Sequence, residues 1–380
     1  MIEVIEANNK KLMKVFATFP VKLYKGNKNF VPSIVEDEIV IQDGKKNLAK
    51  GNSDCKCFLA YKDNKVVGRI CAIINHDSNH KFNEKCLRFN RIDFIDDIDV
   101  VKALFNEVIR YAKENNLEYI HGPWGFNDTD REGMLTEGFD EVSNYATNYS
   151  YPYYIHLMEE LGFKKESEWI EYRFDVDDID PRFFEAAKLL KERGYRDLCD
   201  TMPLKRIIKE YGEKFFICYN NAYKDLDNFI PIEGEMIKST LKQFATIINK
   251  NYFSVIVNSN DDVVAFGVGL PYIGEVLRKA KGRMLLAAIP ILLTIAHPKA
   301  VELALIGVDP SYRNSGLHSL IVTRFSKNLH KHHIKDVYMD PILTTNLKML
   351  YTWKGTGKEI RAKRQTYKIS VAELEKYCRK

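Results

Sequence analysis

A glycine-containing turn between a predicted strand and a predicted helix is the stretch of this sequence best suited to chemistry. Residues 307–320 read GVDPSYRNSGLHSL and follow the apolar run at 301–306. A turn of this kind lets backbone N–H groups converge on an anion, and the following helix adds the positive end of its dipole. Arg313 can donate a charge-assisted hydrogen bond to the same anion. The pattern predicts a phosphate-binding turn; the alternative is an ordinary joint between a strand and a helix.

Alternating strand and helix patterns place this turn in the second of two similar halves. In the first half, strand patterns occupy 2–5, 57–61, 66–74, 88–95, 118–120 and 167–174, and helical patterns occupy 10–19, 100–111 and 153–161. In the second half, strand patterns occupy 253–257, 263–270, 301–308, 337–339 and 363–369, and helical patterns occupy 181–193, 317–330 and 347–353. Each half is expected to end with its own closing strand. Because the order of elements repeats, we expect an internal duplication with domains at 1–176 and 177–380.

The composition limits the classes of function. Hydrophobic residues make up 45% of the 380 residues, which is ample for two folded cores. The 57 basic residues barely exceed the 52 acidic ones, so we expect no nucleic-acid partner. The seven cysteines show no metal-ligand spacing, and the beginning MIEVIEANNKK has no apolar leader segment. These features predict reduced thiols, no metal site and a cytoplasmic location.

The most apolar stretch of the chain runs from Met284 to Ala296. It has thirteen residues and contains Pro290, whereas a membrane span needs about 20 residues. We therefore expect a buried helix here and no membrane span.

The turn at 307–318 resembles the acyl-CoA loop of the GCN5-related N-acetyltransferase (GNAT) superfamily. That loop has the form R/Q-x-x-G-x-G/A after a strand and a V-x-P-x-Y-R lead-in. The lead-in Val308-Asp309-Pro310-Ser311-Tyr312-Arg313 fits closely, and His318 stands where Gly or Ala is usual. The resemblance covers roughly residues 250–370 and implies acetyl-CoA or another acyl-CoA as co-substrate. The residues that it implies for binding are Val308, Arg313, Asn314, Ser315, Gly316, Leu317 and His318.

The whole chain is similar to bacterial proteins of unassigned substrate that pair a GNAT-like half with a GNAT half. The stretches that carry this similarity are Val67-Gly68-Arg69-Ile70, Gly122-Pro123, Glu132-Gly133-Met134-Leu135, Gly138-Phe139-Asp140, Tyr153-Tyr154, Leu161-Gly162-Phe163 and Gly269-Leu270-Pro271. It implies an α+β fold of two tandem GNAT-like halves, each a mixed central sheet flanked by helices.

The GNAT resemblance also singles out the segment Asn346-Leu-Lys-Met-Leu-Tyr351-Thr-Trp-Lys-Gly355. GNAT proteins often carry a tyrosine four residues before a glycine at this helix end, and that tyrosine can protonate the departing CoA thiolate. A phenol with a pKa of about 10 is a suitable donor. Asn346 is a candidate for a hydrogen bond to the pantetheine arm. The alternative for Tyr351 is a core position on an amphipathic helix.

The first half lacks an equivalent of the phosphate-binding turn. After its strand at 88–95, four carboxylates lie between residues 93 and 99, with no glycine, and they would repel an anion. We expect no CoA there. The stretch from His121 to Asp128 and the later residues Glu137, Tyr149, Tyr153, Tyr154 and His156 are instead dense in polar and aromatic groups. Asn127, Tyr153 and Tyr154 are the candidates for binding the acceptor; the alternative is core tyrosines beside a solvated loop.

No single general base can be identified. The candidates are Glu302, Asp340, Glu233 and Glu235, each expected at the surface or as a cap, and in this superfamily a water chain can also remove the amine proton.

The predicted function is an acyl-CoA-dependent N-acyltransferase, with acetyl as the expected group and a small-molecule or peptide amine as acceptor. The alternatives are a Fem-type aminoacyl or peptidoglycan transferase and a non-catalytic acyl-CoA-binding protein. The basic runs at 278–283 and 358–364 fit a solvated face, the 3′-phosphate of CoA or an acidic partner.

Overall fold

A computed structural model of the protein describes residues 1–127, 130–226, 229–353 and 356–379. Two residues singled out above, Asp128 and Gly355, lie outside these ranges. The chain forms two compact units. Unit 1 contains Met1–Ile170, Gly274–Ala288 and Arg361–Lys380, and unit 2 contains Glu171–Ile273 and Ile289–Ile360. The domains at 1–176 and 177–380 stay a proposal about the two halves of the sequence.

The elements are numbered in chain order. The strands are β1 (Ile2–Glu6), β2 (Ser53–Lys62), β3 (Lys65–Asn75), β4 (Cys86–Phe94), β5 (Tyr119–Gly122), β6 (Met134–Glu137), β7 (Lys164–Ile179), β8 (Arg196–Asp197), β9 (Phe253–Val257), β10 (Val263–Pro271), β11 (Ala300–Val308), β12 (Asp336–Met339), β13 (Ile342–Leu343) and β14 (Thr356–Ser370). The helices are α1 (Lys10–Leu23), α2 (Val35–Ile39), α3 (His76–Phe82), α4 (Ile98–Glu114), α5 (Tyr153–Glu160), α6 (Arg182–Glu192), α7 (Leu198–Thr201), α8 (Leu204–Tyr223), α9 (Glu235–Ile247), α10 (Gly274–Lys279), α11 (Met284–Ala296), α12 (His318–Lys331), α13 (Leu347–Thr352) and α14 (Val371–Arg379).

Unit 1 has a sheet in the order β1-β2-β3-β4-β5-β14, and β6 also pairs with β14. The pairs are antiparallel except β4–β5, which are parallel and joined through α4. The side chain of Asp97 caps α4 by accepting the N–H of Asp99 at 3.0 Å. Gly68 lets α4 lie close to the sheet, because a Cβ there would lie 2.9 Å from Leu104 Cδ1.

Unit 2 repeats this plan in the order β8-β9-β10-β11-β12-β7. Only β11 and β12 are parallel, and α12 joins them as α4 joins β4 to β5. Helices cover both faces of this sheet. Phe266 packs against Phe215 of α8 with ring centroids 4.8 Å apart, whereas a Cβ on the next residue, Gly267, would lie 2.3 Å from Ile321 of α12. Since neighbouring strand residues point to opposite faces, α8 and α12 lie on opposite sides.

The expectation that each half ends with its own closing strand is wrong. Strand β14 comes from the second half of the sequence but pairs with β5 in unit 1, through Tyr367 opposite Gly122. Strand β7 comes from the first half but pairs with β12 in unit 2, through Phe174 opposite Val337. The sixth strand of each unit is therefore supplied by the other half of the sequence.

The expectation of a buried helix over residues 284–296 is also wrong. The segment is helical as α11, but five of its large aliphatic side chains are exposed, led by Leu285 at 90% and Ile289 at 72%. No helix among the described residues is both long enough and apolar enough to cross a membrane.

Candidate active site

The predicted phosphate-binding turn lies in unit 2, at the end of β11. The N–H of Asp309 donates to Val264 O at 2.9 Å, so the sheet continues to this residue. A short 3₁₀ turn at Pro310–Tyr312 follows, and the carboxylate of Asp309 accepts the N–H of Ser311 at 3.0 Å. Asn221 of α8 donates to the other oxygen of the same carboxylate at 2.9 Å. The start of the turn is therefore fixed from both sides.

Two residues in left-handed conformation shape the rest of the turn. Asn314 has a φ of 65° and Gly316 a φ of 79°, values that asparagine tolerates and glycine adopts freely. In the described part of the chain, the backbone N–H groups of Gly316, Leu317 and His318 donate to no acceptor, and the first paired N–H is that of Ser319, to Gly316 O at 2.8 Å. These N–H groups open the fourteen-residue helix α12. Such a helix start favours an anion.

Arg313 lies beside this helix start with its guanidinium partly exposed. Its Nη1 is 3.4 Å from the Asp225 carboxylate, and its Nη2 donates to Ala222 O at 3.3 Å. The guanidinium side chain is 31% exposed, and both contacts are long. A phosphate at the turn can accept charge-assisted hydrogen bonds from the same donors.

His318 does not fill the turn with its side chain. The imidazole packs on the ring of Phe183, in the first turn of α6, with centroids 5.7 Å apart and planes at 80°. Burial lowers the pKa of His318, which favours the neutral imidazole. The residue that replaces the usual Gly or Ala therefore packs on α6.

Strands β11 and β12 separate just before the turn. Their parallel pairing runs from Ala300 opposite Asp336 to Leu303 opposite Met339, and the N–H of Asp340 still donates to Leu303 O at 3.1 Å. Beyond that point β11 continues to Val308, paired among the described strands with β10 alone. Residues 303–306 are apolar and only half-buried. An extended chain with amide groups can add to such a strand edge by backbone hydrogen bonds.

Glu302 is buried in the sheet rather than placed at the surface or as a cap. Glu302 is 2% exposed and lies on β11, the strand that leads to the turn. Glu302 lies opposite Tyr338 of β12, which lies opposite Arg173 of β7. Because directly paired residues share a face, these side chains form a polar row across three strands. Arg173 and Tyr338 were not predicted from the sequence, because their place beside Glu302 depends on the pairing of strands that are distant in the chain.

The other candidate bases are less enclosed. Glu235 is exposed and pairs with Lys238 at 2.8 Å, near the start of α9. Glu233 is exposed just before the same helix. Asp340 is half-buried directly after β12. Among the four predicted carboxylates, Glu302 is the one that combines deep burial with a position on the strand before the turn.

Tyr351 is exposed, at 73%, and this rules out the alternative that placed it in the core. It lies on α13, whose N-terminal cap is Asn346; the Asn346 side-chain oxygen accepts the N–H of Met349 at 3.2 Å. The ion pair with Asp180 raises the pKa of Arg182, and the nearby phenol of Tyr351 adds to that increase. Arg182 directly precedes Phe183, so the first turn of α6 lies near both Tyr351 and His318.

The predicted acceptor-binding residues lie in unit 1 and are largely inaccessible. Tyr154 is fully buried, with its hydroxyl 2.9 Å from the hydroxyl of Tyr24 and accepting the N–H of Phe94 at 2.9 Å. Tyr153 donates to Phe94 O at 2.6 Å. Asn127 is 8% exposed, and its side chain reaches Ala49 O at 3.5 Å. Both tyrosines form hydrogen bonds to the backbone of Phe94. These contacts and its full burial give Tyr154 the role of a core residue.

A buried charge network in unit 1 was not anticipated from the sequence. Arg69 pairs with Asp93 at 2.7 Å, and Arg91 pairs with Glu38 at 3.0 Å and with Asp130 at 2.9 Å. These residues line a cavity of about 30 Å³, enough for a water molecule or two. Burial raises the pKa of Asp93, while the Arg69 guanidinium opposes the increase. Each buried charge is paired with an opposite charge from a distant part of the sequence. The network therefore fits a structural role.

The fold is that of a known class. A tandem GNAT protein from the clavulanic acid biosynthesis pathway, solved without AcCoA, superimposes with a TM-score of 0.58 and 12% identity, over 98% of this chain and 99% of that one. This chain therefore has the tandem GNAT fold, an α+β architecture with mixed β-sheet flanked by helices, and the fold predicted from the sequence is confirmed. No protein-family model matches the chain.

Two relatives match at the level of sequence. Protein YghO of Escherichia coli (strain K12) is 24% identical over 364 residues, covering 92% of this chain and 91% of that protein. A bacterial ceramide synthase of Caulobacter vibrioides (strain NA1000 / CB15N) is 22% identical over 324 residues, covering 83% of this chain and 82% of that protein. Both matches extend over most of the chain.

Proposed function

We propose that the protein is an acyl-CoA-dependent N-acyltransferase that transfers an acyl group, acetyl in the simplest case, to an amine. The observation that carries the proposal is the start of α12, where the N–H groups of Gly316, Leu317 and His318 have no protein acceptor among the described residues. Arg313 lies beside them, and the tandem GNAT fold supports the use of an acyl-CoA. The pyrophosphate of CoA would lie at this turn, and the amide-containing pantetheine arm along the open edge of β11.

The reaction needs one group that accepts a proton and one that donates a proton. The amine nitrogen attacks the thioester carbonyl carbon, the carbon–sulfur bond breaks, and the CoA thiolate leaves. We assign the removal of the amine proton to Glu302, directly or through water, because it is the buried carboxylate on the strand that leads to the turn. We assign the protonation of the thiolate to Tyr351, which is exposed on α13.

The likeness to a bacterial ceramide synthase suggests which amine to test first. Ceramides are amides of long-chain amino alcohols, so that relative's name implies acyl transfer to a lipid amine. We propose a long-chain amino alcohol as the first acceptor class for this chain, ahead of small polar amines and peptides. Asn127 and Tyr153 stay predicted acceptor contacts.

Thermal unfolding with and without acetyl-CoA tests the cofactor assignment. A ligand that binds only the folded state raises the unfolding temperature by mass action. Gly316→Val should abolish the increase, because a β-branched side chain is strained at a φ of 79°. Gly194→Val is the matched control, since Gly194 has a φ of 90° and, like Gly316, has no atom within 4 Å of the place that a Cβ would take. The absence of any increase in wild type at millimolar acetyl-CoA would contradict the proposal.

Turnover then separates the proposal from its alternatives. Release of free CoA thiol from acetyl-CoA and longer acyl-CoAs would be followed with amines of each class. Stabilisation by acyl-CoA without release for any amine would favour a non-catalytic binding protein. Stabilisation by aminoacyl-tRNA and not by acyl-CoA would favour a Fem-type aminoacyl transferase.

A further inference from the structure

Helix α11 presents an apolar surface that the described part of the chain leaves uncovered. Its exposed side chains are Leu285 at 90%, Leu286 at 58%, Ile289 at 72%, Leu292 at 63% and Leu293 at 62%. Elsewhere the large exposed apolar side chains are mostly isolated, as Leu189 and Ile217 are, and isolated ones are normal on protein surfaces. Five within one helix form a contiguous patch, which marks an interaction site.

The five side chains lie on one face of α11. Their positions follow the spacing i, i+1, i+4, i+7 and i+8, which is one stripe of a helix with 3.6 residues per turn. The buried residues of the helix, Ala287 and Ile291, lie four positions apart and face the opposite direction. The helix is therefore held by a narrow face of two residues and shows its broad aliphatic face to the outside.

The start of α11 is fixed to unit 1, so the exposed face is presented by a well-anchored element. The N–H of Met284 donates to the Glu36 carboxylate at 3.0 Å, and the N–H of Val35 donates to Gly282 O at 2.9 Å. Gly282 approaches this segment so closely that a Cβ would lie 2.3 Å from Ser33 O. The exposure of the aliphatic side chains is thus not the result of a loose end.

Basic residues flank the aliphatic face at both ends. Residues 276–299 contain Arg278, Lys279, Lys281, Arg283 and Lys299 and no aspartate or glutamate, although the whole chain nearly balances its charges. Lys281, Arg283 and Lys299 are exposed. The acidic neighbours are Glu275, which pairs with Lys279 at 4.0 Å, and Glu36, which accepts the N–H of Met284. An apolar face bordered by a net positive charge matches a surface that is apolar inside and anionic at its boundary.

We propose that α11 is a monotopic membrane-binding element that lies in the interface of a bilayer containing anionic lipids. The helix has thirteen residues and is about 20 Å long, so it is too short to cross a hydrocarbon core of about 30 Å. Lying flat, it buries the aliphatic face among the acyl chains, while the flanking lysines and arginines reach the anionic headgroups. This inference goes beyond the proposed acyl transfer and does not depend on it.

Flotation of the full-length protein with lipid vesicles tests the inference. Wild type should float with phosphatidylcholine vesicles that contain phosphatidylglycerol, and at least about tenfold less with phosphatidylcholine alone or in high salt. The variant Leu286→Gln/Ile289→Gln/Leu293→Gln should lose about 100-fold in vesicle affinity, since it removes three aliphatic contacts. Leu189→Gln/Ile217→Gln removes exposed aliphatic side chains on α6 and α8, and it should bind like wild type.

A spectroscopic probe reports whether α11 itself enters the lipid. All three native tryptophans, Trp124, Trp169 and Trp353, are buried. Leu292→Trp therefore adds an exposed indole, whose emission should shift to the blue on vesicle binding and be quenched by brominated acyl chains. Neutralising the flank with Lys281→Gln/Arg283→Gln should reduce binding to anionic vesicles about tenfold.

Three outcomes would overturn the inference. One is a wild-type protein that floats with neither vesicle type; another is equal flotation of wild type and the triple variant. The third is a lipid-free wild-type dimer that the triple glutamine variant converts to a monomer, with no vesicle binding by either. That result would show that a second copy of this chain covers the face.

Discussion

The imidazole of His318 packs edge-on against the ring of Phe183, with centroids 5.7 Å apart. This contact directs the one side chain that departs from the acyl-CoA loop pattern toward α6. We therefore predict that His318→Ala changes CoA affinity less than about threefold, while the lost aromatic contact costs ~1 kcal/mol of stability. Titration calorimetry and chemical denaturation measure the two effects. Phe183→Ala is the companion variant, and a tenfold gain in CoA affinity with His318→Ala would instead show that the imidazole obstructs the turn.

The exposed phenol of Tyr351 leads to a prediction about turnover. Tyr351→Phe keeps the ring and removes one proton donor, so kcat should fall about 100-fold or more while CoA affinity changes little. Tyr119→Phe, at another exposed tyrosine, is the matched control and should retain full activity. Equal kcat for the Tyr351 variant and wild type would remove Tyr351 from the mechanism.

The buried carboxylate of Glu302 leads to a different kinetic signature. Glu302→Gln keeps the shape and hydrogen-bonding capacity of the side chain but cannot accept a proton from the amine. We expect kcat/KM to fall about 100-fold while CoA affinity changes little. Glu235→Gln, at an exposed carboxylate, should keep the wild-type kcat/KM. Equal kcat/KM for the Glu302 variant and wild type would assign the proton to water or another group.

Local patterns predicted the elements well because each is encoded by neighbouring residues. The apolar strand pattern at 66–74 and the helical spacing of Val100, Leu104 and Val108 appear in the structure as β3 and α4. The exchange of β7 and β14 between the two units was not predictable in this way. An alternating strand needs a partner, but its own residues do not say which distant strand provides one.

The candidate site shows the same limit. The turn between β11 and α12 could be proposed as a phosphate-binding site because its residues are contiguous in the sequence. The row of Arg173, Tyr338 and Glu302 exists only through strand register and could not be derived from the chain order. The apolarity of residues 284–296 predicted a buried helix, but it did not indicate that the aliphatic face of α11 is exposed.

Burial of His121 leads to a prediction about acid stability. Burial lowers the pKa of His121 to about 3, and the charges of Lys368 and Arg88 add to the decrease. The Nε2 atom of His121 accepts the indole N–H of Trp124 at 2.7 Å, which requires this nitrogen to be unprotonated. The folded state thus binds fewer protons than the unfolded state, in which the pKa is about 6.5. The free energy of unfolding should therefore be unaffected by this group above about pH 6.5. Below that pH it should fall by up to about 1.4 kcal/mol per pH unit.

The variant His121→Gln isolates this effect, because the glutamine oxygen can accept the Trp124 N–H but does not titrate. Denaturation curves measured between about pH 7.5 and about 4 give the free energy of unfolding as a function of pH. Its slope should be smaller for the variant than for wild type, by an amount that corresponds to about one bound proton. His156→Gln, at an exposed histidine of the same unit, should keep the wild-type slope. Identical slopes for His121→Gln and wild type would contradict the prediction.

The last prediction concerns the number of CoA sites. Strand β4, helix α4 and strand β5 repeat the plan of β11, α12 and β12, so unit 1 offers a second helix start at the equivalent place. There the Asp97 side chain already accepts the N–H of Asp99 at 3.0 Å and pairs with Lys62 at 2.7 Å. Because this carboxylate occupies the place of an incoming phosphate, we expect one CoA per chain, bound at the 313–318 turn. Calorimetry on the full chain should give one site that Gly316→Val abolishes, and a second site that survives this substitution would contradict the assignment.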